Sequence, residues 1–408
     1  MKTMGWGGSV APSGQGGNMM RANLRLTALT IFLTGNVMLG GLGSIPHSAM
    51  ALTPGYNWGA FQILDHSITP GAKKKFELMP NLRFENAYVD MPVFVARGTS
   101  PGPTLCVTSA IHGDEINSVE IARRVFETIS ARDLGGTLVV LPIINRHGFI
   151  TRQRYTADRQ DLNRYFPGNP EGNVTSILAH YVFTKVIQRC DALIDLHTAS
   201  FYRQNLPQIR VDLDNHRALE MARHFGAGII LGKPGLRHTL RWEATQAGIP
   251  TILYEGGEPN RFQLDEIKLG VEGVLNVMAY LEMLDRPPHE TGQQQIFTTS
   301  TWVRVPPGRG GNFFPERELG DRVKKSELLG TVTDPLTSSR VEIRAPFDAQ
   351  IIGMSIPQVT LSGFILFDLV RTPLRPKGTH PRCPPLHSRD GHAGVQCPTF
   401  IECFRTGE

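Results

Sequence analysis

The 408-residue chain has only five cysteines, an odd number that cannot all pair within one molecule. Cys106 falls in an apolar run, Cys190 stands just before another, and Cys383, Cys397 and Cys403 lie near the C-terminus. That spread implies no disulfide framework. Nor do the terminal His380, Cys383, His387, His392, Cys397 and Cys403 match the spacing of a common zinc finger. Acidic residues are missing from residues 1–51, which carry Lys2, Arg21 and Arg25, and are scarce from Arg371 onward, where six Lys and Arg face three acids. The net charge of +5 therefore belongs to the two ends, the body between them comes to −1, and no nucleic-acid partner is expected.

An unbroken apolar run of membrane-spanning length is missing too. LTALTIFLTGNVMLGGLG is interrupted by Gly35, Asn36, Gly40 and Gly41, so no stable membrane span is expected. Preceded by Arg21 and Arg25 and followed by AMA at 49–51, it reads as a secretory signal, with Met19 or Met20 as an alternative start. A periplasmic or secreted protein is the expectation, and a disordered extension on a cytoplasmic one is the competing reading. The Pro-rich tail 371–408 has little periodicity and reads as disordered.

Between these ends, residues 52–290 alternate short β-rich runs with helical patterns. TLCVTSAI precedes EINSVEIARRVFETIS, where Val119, Ala122, Val125, Phe126 and Ile129 recur at helical spacing. TLVVLPII (137–144), the helix-like VTSILAHYVFTKVIQR (174–189), ALIDL (192–196), GIIL (228–231) and TILYE (251–255) follow, and an amphipathic helix closes the section. The order predicts an α/β fold with a mixed, largely parallel sheet flanked by helices, and a ligand site at the C-terminal strand ends. From 295 to 370, short strands and Gly/Pro turns predict a small all-β domain.

Three strand ends carry chemistry. The first gives His112 and Glu115, three residues apart; the second ends on His197; the third leaves Glu255 before two glycines. Singly, a histidine there is a hydrogen-bonded core residue and Glu115 is an acid favoured by a helix N-terminus. Together, two imidazoles and a carboxylate make a three-ligand zinc set with its fourth position open, as catalysis requires. Glu255 can then take a proton from the attacking water. Asp195, two residues before His197, is a candidate to orient a ligand imidazole, with Asp114 competing for that role. FYRQNLPQIR (201–210) reads as a polar rim loop bent by Pro207, with Arg203, Asn205 and Arg210 as candidate substrate contacts.

HGDE at 112–115, DLNRYFPG at 161–168, DLH at 195–197 and YEGGE at 254–258 occur in that order. The set resembles the succinylglutamate desuccinylase/aspartoacylase family of amidohydrolases, over about residues 60–370. The resemblance implies a zinc-carboxypeptidase-like fold, one zinc ion on His112, Glu115 and His197, and Glu255 as general base. It implies further that Asn163 and Arg164 hold a substrate carboxylate and that Arg154 polarises the scissile carbonyl. The substrate would be a small N-acyl amino acid, its acyl group unspecified. The β segment is similar to the barrel-sandwich, lipoyl-type module that ends many members. Its turn carries Ser338, Ser339 and Arg340 and no lysine, which excludes a carrier and leaves a pocket wall or a homo-oligomer interface. A peptide-cleaving zinc carboxypeptidase and a non-catalytic ligand-binding scaffold are the alternatives.

Overall fold

The computed structural model describes residues 58–78, 90–287 and 292–371. The signal-like segment and the tail beyond Arg371 lie outside the described residues. β1 (Phe61–Ile63) and β2 (His66–Ile68) form a small antiparallel hairpin. β3 (Lys73–Leu78), β4 (Met91–Arg97), β5 (Ser100–Thr108), α1 (Ile116–Thr128) and β6 (Gly135–Leu141) follow. A short α2 (Arg146–Thr151) and α3 (Val174–Lys185) lead to β7 (Ala192–His197) and β8 (Arg203–Val211). The section ends with α4 (His216–Phe225), β9 (Ile229–Gly232), α5 (Leu240–Gln246), β10 (Thr251–Gly257) and α6 (Leu264–Tyr280).

Beyond these only strands follow among the described residues: β11 (Gln295–Phe297), β12 (Thr301–Arg304), β13 (Gly311–Pro315), β14 (Arg322–Val323) and β15 (Leu328–Thr333). β16 (Arg340–Arg344), β17 (Ala349–Ser355), β18 (Gln358–Thr360) and β19 (Ile365–Arg371) complete the set. A 13-stranded sheet has the main path β12-β19-β17-β8-β10-β7-β5-β6-β4-β3, and a second sheet has the order β16-β15-β13-β18.

The large sheet is mixed. Its middle, β6-β5-β7-β10, is parallel, whereas β4 and β8 run antiparallel to their inner neighbours. Parallel pairing recurs where β9 lies beside β8 and β11, so the sheet is mixed as expected, with the antiparallel pairs at β3, β4, β8 and the C-terminal strands. β8 follows β7 after a short link with no crossover helix, which cannot return a strand parallel. Alternation along β5 divides the core between the two faces. Leu105 and Val107 cluster with Phe126 of α1, Met221 of α4 and Val274 of α6, while Cys106 clusters with Val182 of α3 and Leu240 of α5. No helix among the described residues is long and apolar enough to cross a membrane.

Two local expectations change. The stretch 201–210 is mostly strand rather than a polar loop. Pro207 lacks a backbone donor, but it falls where the pairing with β10 shifts register between Glu255 and Gly257, and an irregularity tolerates it. The helix expected at 174–189 ends at Lys185 and gives way to a 3-10 turn.

The C-terminal strands share the large sheet. β17 pairs with β8 through Gly353 with Asn205, Met354 with Gln204 and Ser355 with Arg203. Their own core gathers Val305, Phe313, Leu329, Ile351 and Phe367, and a smaller cluster ties Ile352 and Val370 to Ile229 and Leu231 of β9.

Cys106 and Cys190 form a disulfide with Cα atoms 5.8 Å apart, a pairing the cysteine spacing did not suggest. It ties β5 to the entry of β7, two adjacent strands 84 residues apart at the cross-link. Replacing both cysteines by alanine should lower the unfolding free energy by about 2–4 kcal/mol. Denaturant titration without reductant measures this, and wild-type protein held in reductant should lose a similar amount; no difference between the proteins would show the cross-link to be energetically idle.

Candidate active site

Close backbone packing forms the turn after β5. An added Cβ at Gly113 would lie 1.9 Å from the carbonyl carbon of Gly148 in α2, so this position needs glycine. The turn ends at Glu115, the N-cap of α1, which makes no side-chain cap. Its carboxylate serves two histidines instead. Oε1 lies 2.6 Å from His112 Nδ1, and Oε2 lies 2.8 Å from His197 Nδ1. All three residues are buried, and candidate ligand atoms from them lie within 4.8 Å of one another.

A second tier of carboxylates holds the far side of each ring. Asp161 Oδ1 is 3.1 Å from His112 Nε2, and Asp195 Oδ2 is 3.0 Å from His197 Nε2. Thr108 donates to Asp195 Oδ1 at 2.7 Å. Engaging Nε2 leaves each Nδ1 directed at the centre, the pattern in which outer carboxylates orient metal-binding imidazoles. Two inward nitrogens and one carboxylate, with no thiol, suit a catalytic zinc ion. Asp195 therefore holds the orienting position. Asp114 does not, and its Oδ1 has no hydrogen-bond partner.

The electrostatics follow from this packing. Burial alone would raise the Glu115 pKa, but His112 and then His197 outweigh it and hold the carboxyl well below its usual range. Burial opposes a charge on His197, yet Asp195 and Glu115 overcome it and raise the imidazole well above its ordinary value. Burial and then the neighbouring Glu115 push Asp114 up to about 6.

The group opens into a cavity of 460 Å³. Arg154 reaches its edge, 2.5 Å from Ser200 Oγ, 2.9 Å from Asp161 Oδ2 and 3.5 Å from Glu115 Oε1. Asn163 lines the wall, although its Oδ1 accepts from the Leu240 amide at 2.8 Å. Arg164 lines it with a side chain 46% exposed, donates from Nη1 to the Asn163 carbonyl at 2.5 Å and comes no closer than 4.0 Å to Asp161. Glu255 sits opposite His197 in the parallel β10–β7 pair, so the two side chains share a face. Arg210 Nη1 approaches Glu255 Oε1 to 2.8 Å, and Asn205 Nδ2 donates to Oε2 at 2.6 Å. Asn205, expected to contact substrate, thus gives its amide to Glu255. Arg203 lines the cavity and donates from Nε to the Ser200 carbonyl at 2.9 Å.

Arg152 caps α2 in a left-handed conformation and is absent from this cavity's lining. Glu258 pairs with Arg261 at 2.5 Å. The sequence reading did not assign site roles to Asp161, Ser200, Lys233, Arg241, Trp302 or Asp368. Asp161 opens the DLNR stretch and Ser200 lies three residues after His197, so both could have been found there; the others stand in segments without a local signal. Burial and then the nearby Arg210 push Arg241 down to about 10, a sign of crowded positive charge on this wall.

The Succinylglutamate desuccinylase/Aspartoacylase catalytic domain matches residues 101–281. N-alpha-acetyl-L-2,4-diaminobutyric acid deacetylase of Halomonas elongata is 30% identical over 303 residues, covering 70% of this chain and 88% of the relative. The chain belongs to the succinylglutamate desuccinylase/aspartoacylase family. Solved structures carry the same mixed α/β fold. The product-bound ectoine utilization protein of Ruegeria pomeroyi aligns with TM-score 0.67 at 23% identity, over 73% of this chain and 95% of that one. An aspartoacylase family protein of Mesorhizobium loti gives 0.66 at 21%, over 75% and 96%. The His–Glu–His group and Glu255 fall inside the matched desuccinylase/aspartoacylase stretch; Trp302 and Asp368 lie beyond it.

If the outer carboxylates orient the imidazoles, Asp195→Asn should weaken zinc binding roughly 10- to 100-fold. Competition with a chromogenic chelator reads this directly. An unchanged affinity would reduce Asp195 to a packing residue.

Proposed function

We propose that this chain is a zinc-dependent amidohydrolase that removes the acyl group from a small N-acyl amino acid. The observation that carries the reading is the buried His112–Glu115–His197 group, braced by Asp161 and Asp195, at the base of a cavity that also presents Glu255 and Arg154. The deacetylase of Halomonas elongata, named for an N-acetylated amino acid, supports the same reaction class.

Zinc, when bound, supplies Lewis-acid activation of water and of the scissile carbonyl. The chain's own residues do the rest. Glu255 accepts the proton of the attacking water and returns it to the departing amine, a task suited to a carboxylate whose two oxygens are fixed by Arg210 and Asn205. Arg154, braced by Asp161 and Ser200, offers fixed positive charge to the developing oxyanion, worth ~3 kcal/mol in such sites. Arg164 has one guanidinium nitrogen on the Asn163 carbonyl and a half-exposed remainder without a tight ion pair, suited to the substrate carboxylate, and Asn163 adds a neutral donor. Arg203 extends the positive wall.

A cavity of 460 Å³ suits a small acylated amino acid better than a peptide groove. The C-terminal strands act as a barrel-sandwich-type wall, from which Trp302 and Asp368 line the cavity. The signal-like N-terminus and the Cys106–Cys190 disulfide together favour an exported protein in an oxidising compartment.

Chelation should abolish hydrolysis and zinc should restore it; full turnover in metal-free protein would sink the proposal. Glu255→Gln should retain zinc and lose about 10²- to 10⁴-fold in turnover. Metal loss in that variant would make Glu255 a ligand instead. Arg164→Ala should mainly raise KM for N-acyl amino acids and leave substrates with an amidated carboxylate little changed, while Arg154→Ala should lower kcat for both kinds. Steady-state kinetics on the paired substrates distinguishes them, and exchanged patterns would reverse the two assignments.

A further inference from the structure

A carboxylate held at one oxygen can still turn about its last bond. Arg210 approaches Oε1 of Glu255 to 2.8 Å and Asn205 Nδ2 donates to Oε2 at 2.6 Å, so the two partners together set the plane of that carboxylate. An ionised carboxylate only accepts hydrogen bonds, which fixes the Asn205 amide with Nδ2 toward Glu255 and turns Oδ1 the other way. Oδ1 faces Gly353 of β17: a Cβ added to that glycine would lie 2.6 Å from it.

Asn205 is buried and stands between two glycines. It pairs with Gly257 of β10 on one side and with Gly353 on the other. Gly353 has no left-handed backbone, so close packing against Asn205, and not conformation, is what calls for glycine there. The chain entering β8 is held from the same direction. Phe201 and Tyr202 have φ of 57° and 54°, a conformation that non-glycine residues keep only where their surroundings impose it. The Tyr202 carbonyl accepts from the Ile356 amide at 3.0 Å and from Gln358 Nε2 at 2.9 Å, both in the chain just after β17. The C-terminal strands thus hold residues 202–205, the run that delivers Asn205 to Glu255.

We propose that Asn205 is a positioning residue for the general base and that Gly353 of the C-terminal strands acts through it. β17 seats Asn205, and Asn205 sets the plane of the Glu255 carboxylate. Turnover then depends on a strand remote in sequence from every reacting group, which gives the C-terminal strands a part in the rate beyond walling the cavity. This rests on the deacylase reading, in which Glu255 takes the proton of the attacking water. A misplacement of about an ångström at a reacting group can cost on the order of 10²-fold in rate, so a single methyl group at position 353 is enough to be felt. Asn163 and Arg164 hold the substrate elsewhere in the cavity, and the loss therefore belongs in kcat and not in KM.

The test uses zinc-loaded, full-length protein and the fastest substrate among N-acetyl-L-aspartate, N-acetyl-L-ornithine and N-acetyl-L-methionine. Asn205→Ala should lower kcat roughly 10- to 100-fold, with KM and zinc affinity within about twofold of wild type. Gly353→Ala should lower kcat about tenfold in the same pattern. In the Asn205→Ala background the Gly353→Ala change should cost nothing further, because the amide it displaces is gone. Unchanged kcat in Asn205→Ala, losses carried by KM, or losses that simply add in the double variant would overturn the proposal; the last would mean that each residue only supports the fold. If wild type hydrolyses none of the three substrates, the deacylase reading is what fails, and crystal structures of wild type and Gly353→Ala still decide the coupling. A Glu255 carboxylate that turns away from Asn205 in the variant upholds it, and one that stays in place rejects it.

Discussion

The carboxylate of Glu115, held between imidazoles from two strand ends, is the contact on which the site depends. A charged carboxylate taken out of water is tolerated only where partners surround it. Here His112 and His197 do so, and each is fixed in turn by an aspartate from elsewhere in the chain. That arrangement requires β5 and β7 to be neighbours in one register, with Thr108 opposite Asp195. The hydrogen bond between those two side chains and the disulfide near the other end of the strand pair fix that register at two points.

Much of this was legible in the sequence because it is local. Strand ends give His112, His197 and Glu255 away, and period-two and period-3.6 apolar patterns place the strands and helices around them. What the sequence hid is non-local. Pro207 argues for a bend by itself, yet the strand containing it is held by β10 on one side and by β9 and β17 on the other, with the proline at the irregularity. Asn205 and Arg210 suit a substrate contact as isolated polar residues, and only the pairing of β8 with β10 brings them to Glu255. Cys106 and Cys190 are 84 residues apart, and their proximity is a property of sheet order rather than spacing. Trp302 and Asp368 come from a segment with a different strand pattern, so nothing near His112, His197 or Glu255 in the sequence points to them.

The cavity is accordingly made by two kinds of structure. The parallel middle of the sheet carries His197 and Glu255 at strand ends where backbone pairing leaves little freedom. The antiparallel extension supplies the opposite wall, where a side chain can change without disturbing the register of β5, β7 and β10. Both parts belong to one continuous sheet.

That continuity has a cost for any shortened form of the protein. Cutting the chain after α6 would not merely remove a wall from the cavity. It would strip β17 from the 203–205 end of β8, leaving backbone donors and acceptors unpaired along a newly exposed edge, and would uncover Leu206, Ile229 and Leu231 beside it. An open, apolar strand edge recruits other strands. The truncated enzyme is therefore more prone to aggregate than to survive as an active core with a relaxed choice of substrate.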